Sequence, residues 1–197
     1  MPRRIVKPSV LSLAALAASL ALAGCETPRL TSSVLLTQEV DGEVYRCRGA
    51  FAGGGILTAA HCITGERSLP LSAIHDDWTI LLDGRRGPEL PVVAYSFTEL
   101  RQALHGTAVL EVAGQSPCRV APPLGRGFFS SDCVVKHGDS GSPVILYTPC
   151  ATDYECERGL PHAVIVGLVS AFIGSGDSGP AIIVSAEEFA ATVNGGN

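Results

Sequence analysis

Positive charge is scarce in this chain: 14 Lys and Arg stand against 19 Asp and Glu, a formal net charge of −5. Three of the cations, Arg3, Arg4 and Lys7, lie in the first 24 residues, so a chain shorn of that segment carries 11 basic residues and a balance near −8. A polyanion needs a clustered cationic surface, so nucleic acid is excluded as a partner. No two cysteines stand in a Cys-x-x-Cys spacing and the five histidines are scattered, which argues against a structural zinc site; no metal and no cofactor are expected. Repeats and long low-complexity tracts are missing, and so are helices between the strand-like runs, which excludes a doubly wound α/β enzyme.

The longest apolar run, about residues 9–23, is too short to span a bilayer comfortably and follows three cations, the layout of a secretory signal. It closes on Leu22-Ala23-Gly24-Cys25, which matches a bacterial lipobox and marks Cys25 for lipidation as the mature N-terminus. The expected location is the bacterial cell envelope, periplasm-facing or outer membrane, with Cys25 holding the protein to the membrane. Seven cysteines less Cys25 leave six in an oxidising setting, consistent with disulfides; six cysteines allow 15 pairings, so the connectivity stays open at this point.

The organisation expected is a signal peptide over 1–24, a polar tether over 25–33 and one domain over 34–197, built of two sub-barrels that meet roughly at 100–120. Apolar or β-branched runs at 44–53, 56–60, 78–82, 90–97, 107–113, 128–135, 143–147, 163–172 and 181–184, split by Gly, Pro and Asp, read as strands. Helix is expected weakly at 98–105, and again where Ser185 and Glu188 form an S-x-x-E capping box. Many short strands and one terminal helix suit an all-β fold, a double six-stranded antiparallel β-barrel.

Two motifs carry chemistry. Leu57-Thr58-Ala59-Ala60-His61-Cys62 is answered by Gly138-Asp139-Ser140-Gly141-Ser142-Pro143. A serine hydroxyl needs an imidazole to take its proton at neutral pH, so a His and a Ser set in small-residue turns read as base and nucleophile. The lipase-type G-x-S-x-G elbow is not met, because position 142 is Ser. A second copy, Gly176-Asp177-Ser178-Gly179-Pro180, has too few residues after it to hold the downstream strands and is expected to be a loop.

These motifs resemble those of the trypsin/chymotrypsin-like serine peptidases, loosely across residues 44–193, and the Ser142-Pro143 ending is closer to bacterial, glutamyl-endopeptidase-like members than to animal trypsins. The resemblance implies an oxyanion hole from the N–H groups of Gly138 and Ser140 and a bridge between Cys47 and Cys62 beside the catalytic histidine. Of the remaining four, Cys150 is expected to close a local loop with Cys156 and Cys118 to pair with Cys133, a connectivity that the sequence alone leaves open. It also implies a primary pocket based at Val134 and walled by the strand bearing Ser170 and Phe172; without an acid at Val134, small or medium apolar side chains are expected rather than Lys or Arg.

The third triad member is open. Asp77, heading Trp78-Thr79-Ile80-Leu81-Leu82, supplies an acid close after His61, and it is preferred on chemistry. Gly106, heading Thr107-Ala108-Val109-Leu110, matches the better strand but lacks a carboxylate; Asp76 beside Asp77 can equally be a solvated turn, and Glu99 and Glu111 stand further out. His75, His105 and His162 read as surface or satisfied side chains, while Lys136 and His137 border the cleft. Asp139, if buried, needs a cation or several N–H donors. Two functions follow: a lipid-anchored serine endopeptidase acting as a monomer on protein or peptide substrates, or an inactive homologue serving as a protein-binding module, the latter if Gly106 replaces the acid.

Overall fold

Val34 and Leu36 are buried while Leu35 and Thr37, which alternate with them, are only partly so, the period-2 pattern of a half-buried strand. In the computed structural model, which describes residues 33–40, 43–64, 79–81, 89–148 and 162–195, this segment is β1 (Ser33–Val40). It pairs antiparallel with β2 (Glu43–Ala52), from Ser33 opposite Ala50 to Val40 opposite Glu43. β3 (Gly55–Thr58) folds back on β2, and α1 (Ala60–Thr64) follows at once. β4 (Thr79–Leu81) adds to the other side of β1, giving the order β3-β2-β1-β4. Val34, Leu36, Cys47, Phe51, Ala59 and Cys62 form this sheet's core.

A second, seven-stranded sheet takes the rest of the described chain. After α2 (Phe97–His105) come β5 (Val109–Val112), β6 (Gln115–Cys118), β7 (Val120–Gly125), β8 (Phe128–Lys136), β9 (Pro143–Thr148), β10 (His162–Phe172) and β11 (Ser178–Ser185), in the order β6-β5-β9-β10-β11-β8-β7. Val144, Leu146, Val166, Val169, Ala181 and Ile183 belong to its core. Ile145 and Ile165 point instead toward Ala50 and Ala52 of β2 and Val92, so a separate apolar layer joins the two sheets. Both faces of β9 and β10 are therefore covered, which is why these strands read as nearly continuous apolar runs. A 3-10 turn (Ala186–Glu188) and a short α3 (Ala190–Asn194) close the chain on that joining layer.

The expected all-β, trypsin-like class is what forms: curled antiparallel sheets of four and seven described strands and a short C-terminal helix. Several expected elements differ locally. Residues 90–97 do not make a strand: Val92 forms only a single parallel bridge with Ile165, because Pro91 has no N–H to donate and Ser96 opens a helix. That helix begins with a reciprocal capping box between Ser96 and Glu99. β6 and β7, rich in Pro and polar residues, were not expected as strands; they are the two edges of the large sheet, where a missing N–H costs no ladder bond. Ser178-Gly179-Pro180, expected as loop, starts β11 opposite Lys136, Val135 and Val134. The terminal cap is also shifted, with the Ser185 hydroxyl accepting from the Glu187 N–H at 3.3 Å.

Candidate functional site

Ser140 lies between the two sheets, in the connection from β8 to β9. Its carbonyl accepts the Arg48 N–H of β2 at 2.8 Å, and the next amide, Gly141 N–H, donates to Val169 O of β10 at 2.7 Å. Val169 N–H returns a bond to Ser142 O at 2.9 Å. The turn is thus clamped by backbone on both sides. Gly141 is required there: its φ is +84°, and a Cβ would overlap Arg48 O and the Thr58 hydroxyl, which itself donates to Arg48 O at 2.6 Å.

The amides of the turn divide into two sets. His137 N–H donates to Asp177 O, Asp139 N–H to Lys136 O, Gly141 N–H to Val169 O and Ser142 N–H to Asp139 O. The N–H groups of Gly138 and Ser140 have no acceptor among the described residues. Gly138 holds φ at +91°, a left-handed conformation that favours glycine. The Ser140 hydroxyl reaches Ser170 O of β10 at 3.4 Å.

His61 is the second residue of α1 and is partly exposed. Its neighbour Cys62 is bonded to Cys47 of β2, and the Cys62 sulfur lies 3.7 Å from Ser140 O. The histidine turn therefore abuts the serine turn. A second disulfide joins Cys118 of β6 to Cys133 of β8. Cys25, Cys150, Cys156, His75, Asp76 and Asp77 lie outside the described residues. β4, which follows Asp77, sits at the edge of the first sheet opposite the one leading into His61.

Gly106 is the C-cap of α2. β5 runs beside β9 with Val109 opposite Tyr147 and Val112 opposite Val144, so Gly106 lies beyond the end of β9 that is remote from Ser140. Pro143 to Tyr147 alone spans about 13 Å at ~3.3 Å per residue. Glu99 is committed to the α2 cap, its carboxylate accepting the Ser96 hydroxyl at 2.7 Å and the Ser96 N–H at 2.8 Å. These two bonds, the hydroxyl first, hold its carboxyl below the ordinary value of 4.5. Glu111 lies on β5 opposite Ile145.

Asp139 is 9% exposed, and its charge is answered twice: the Arg48 Nε lies 3.4 Å from one carboxylate oxygen and the Lys136 N–H donates to the other at 3.0 Å. Arg48 thus bonds Ser140 O through its backbone and Asp139 through its side chain. Sequence reasoning asked for a cation or several N–H donors at Asp139 but had no signal for which residues supply them. Of the expected pocket residues, Ser170 touches Ser140, Phe172 packs edge-on against His137 with ring centroids 5.1 Å apart, and Val134 is 51% exposed with its carbonyl bonded to the Gln115 amide at 2.6 Å. Among the described residues, no group of three or more His, Cys, Asp or Glu is placed to hold a metal ion.

No family model matches the chain, and no curated protein matches its sequence. A solved structure of a scabies mite inactivated protease paralogue is similar, with a TM-score of 0.50 and 15% identity over 85% of this chain and 95% of that one. The Drosophila Grass clip serine protease of the Toll pathway gives 0.49 at 14% identity over 87% and 71%, and human heparin binding protein 0.46 at 15% over 85% and 91%. At such identities the likeness is one of fold, and the fold is trypsin-like.

Proposed function

We propose that this trypsin-like fold is a serine endopeptidase in which Ser140 attacks a peptide carbonyl and His61 takes the hydroxyl proton. The observation that carries the reading is the pair of N–H groups at Gly138 and Ser140, both without an acceptor among the described residues, in a turn clamped between two sheets. Donors held in place before the reaction stabilise the oxyanion without reorganising, which is worth roughly 10²–10³ in turnover per donor. His61 then returns the proton to the leaving amine, the acyl-enzyme forms, and water repeats the sequence in reverse roles. Asp77 is the acid of the proposal, orienting one ring nitrogen of His61 while the other serves Ser140. Ser170 and Phe172 line the acyl side, with Val134 further along β8, and the substrate side chain there is small or medium and apolar.

The same proposal places the protein, as a monomer, at the bacterial cell envelope, released from residues 1–24 and held by lipid on Cys25. A fluorophosphonate probe tests the chemistry. It is expected to label Ser140, and the label is lost in Ser140→Ala and kept in Ser178→Ala; the opposite pattern overturns the assignment. Asp77→Asn is expected to lower turnover by about 10⁴ with the fold intact. An unlabelled wild-type protein would favour the alternative of a binding module. Mass spectrometry of membrane-extracted protein is expected to find Cys25 acylated at the N-terminus, and a free Cys25 thiol there contradicts the anchor.

A further inference from the structure

Beside the Ser140 turn, a groove of about 630 Å³ opens between β1, β2 and residues 136–139. Its walls carry Arg46, Arg48 and Lys136 against Glu39 and Asp139. Arg48 and Asp139 are spent on each other. Arg46 and Lys136 have no carboxylate partner among the described residues, and both are exposed. Two cations without a carboxylate partner among the described residues thus line one groove, where the described carboxylates are the exposed Glu39 and the already paired Asp139, on a chain whose net charge is −5. A lone surface Lys or Arg is ordinarily a solvated side chain; here the pair shares one concavity, where low-dielectric walls strengthen the field.

The groove is joined to the oxyanion turn. The β-carbon of Arg46 lies 3.6 Å from where a Gly138 Cβ would stand, so the Arg46 stem packs on the residue that offers one of the two free N–H groups. The Ser140 hydroxyl, by contrast, faces Ser170 on β10. On the proposed peptidase reading the acyl flank of a peptide held by the Gly138 and Ser140 amides runs toward Ser170 and Phe172 of β10, which leaves this groove to the leaving-group flank.

We infer that this groove binds an acidic side chain of the substrate on the leaving-group side of the cleaved bond, with Arg46 and Lys136 as its partners. The inference rests on the proposed peptidase reading for its direction, though not for the binding itself. Arg46 supplies the planar fork that matches a carboxylate and Lys136 a mobile point charge. Both partners are exposed, so the interaction is modest and screened by salt within a Debye length of about 8 Å at physiological ionic strength.

Two arms test it separately. In the first, the Ser140→Ala protein is titrated with fluorescent peptides that share one neutral acyl-side sequence and continue into either Glu-Glu-Glu or Gln-Gln-Gln. The acidic peptide is expected to bind about three- to tenfold more tightly at low salt, and the gap to close in Arg46→Gln/Lys136→Gln. Arg46→Lys is expected to keep part of it, and an unchanged thermal midpoint in each variant shows that the fold is intact. Equal affinities, or a gap that survives the double substitution, overturns the inference. In the second arm, cut sites of the wild-type protein in a peptide library are expected to be enriched in Asp and Glu within the residues after the cut, and Arg46→Gln/Lys136→Gln to erase the enrichment. A wild-type protein that cuts nothing while the first arm succeeds refutes the peptidase reading and leaves the acidic groove standing; cutting without acidic enrichment does the reverse.

Discussion

The two sheets hold their parts of the site by different means. On the second, Ser140 is positioned by main-chain bonds to β2 and β10 and by a glycine whose Cβ would have no room. On the first, His61 rides on a five-residue helix whose next residue is tied to β2 by a disulfide. Among the described residues the larger sheet also has the larger apolar core, including fully buried Leu110, Val144 and Leu146. The serine turn is thus held by main-chain bonds to both sheets, whereas the histidine turn adds a covalent tie to β2.

Gly141→Ala breaks the first side hardest. The added methyl meets Arg48 O and the Thr58 hydroxyl at a positive φ, so a loss of about 4 kcal/mol or more is expected, with labelling of Ser140 abolished. Denaturant unfolding and probe labelling read the two effects. The disulfides sharpen the comparison, because each closes a loop of the same sequence separation, 15 residues. Replacing either pair by serine is expected to cost about 3 kcal/mol in the chain-entropy model. Only Cys47→Ser/Cys62→Ser is expected to lower turnover as well, since Cys118 and Cys133 tie strands of the large sheet away from His61. Equal turnover in the two double variants would remove the distinction between the sheets.

The smallest effect concerns Glu99, whose carboxyl Ser96 holds below its ordinary value. A depressed folded value means that the cap contributes stability above the unfolded value, near 4.5, and loses it as pH falls through the folded one. Glu99→Gln is therefore expected to flatten the low-pH limb of the stability curve slightly, below the pH 4.5 region, while turnover at neutral pH is unchanged. Thermal midpoints measured from pH 2 to 7 check it, and a Glu99→Gln protein of much reduced turnover would mean that Glu99 has a part beyond the cap.

How far the sequence carried this account depends on whether a feature is local. The histidine and serine turns and the central strands β2, β8, β9 and β10 follow from patterns within a few residues, whereas the Ser96 capping box falls inside a run, 90–97, that reads as strand. β6 and β7 escaped because proline reads as a strand breaker until the chain's edges are known. The strand start at Ser178 escaped because a Gly-Asp-Ser-Gly-Pro run looks like a turn; only the facing residues 134–136 make it a strand. Arg48 is the clearest case. Asp139 announced a need for a counter-charge, but the partner comes from the other sheet, and nothing in a single sequence pairs the two.

If the free amides of Gly138 and Ser140 form an oxyanion site beside His61, a crystal structure of the fluorophosphonate adduct shows it. Phosphorus is expected on the Ser140 oxygen, with a phosphoryl oxygen accepting both N–H groups at about 2.7–3.1 Å. An adduct on another serine, or a phosphoryl oxygen turned away from these two amides, would contradict it.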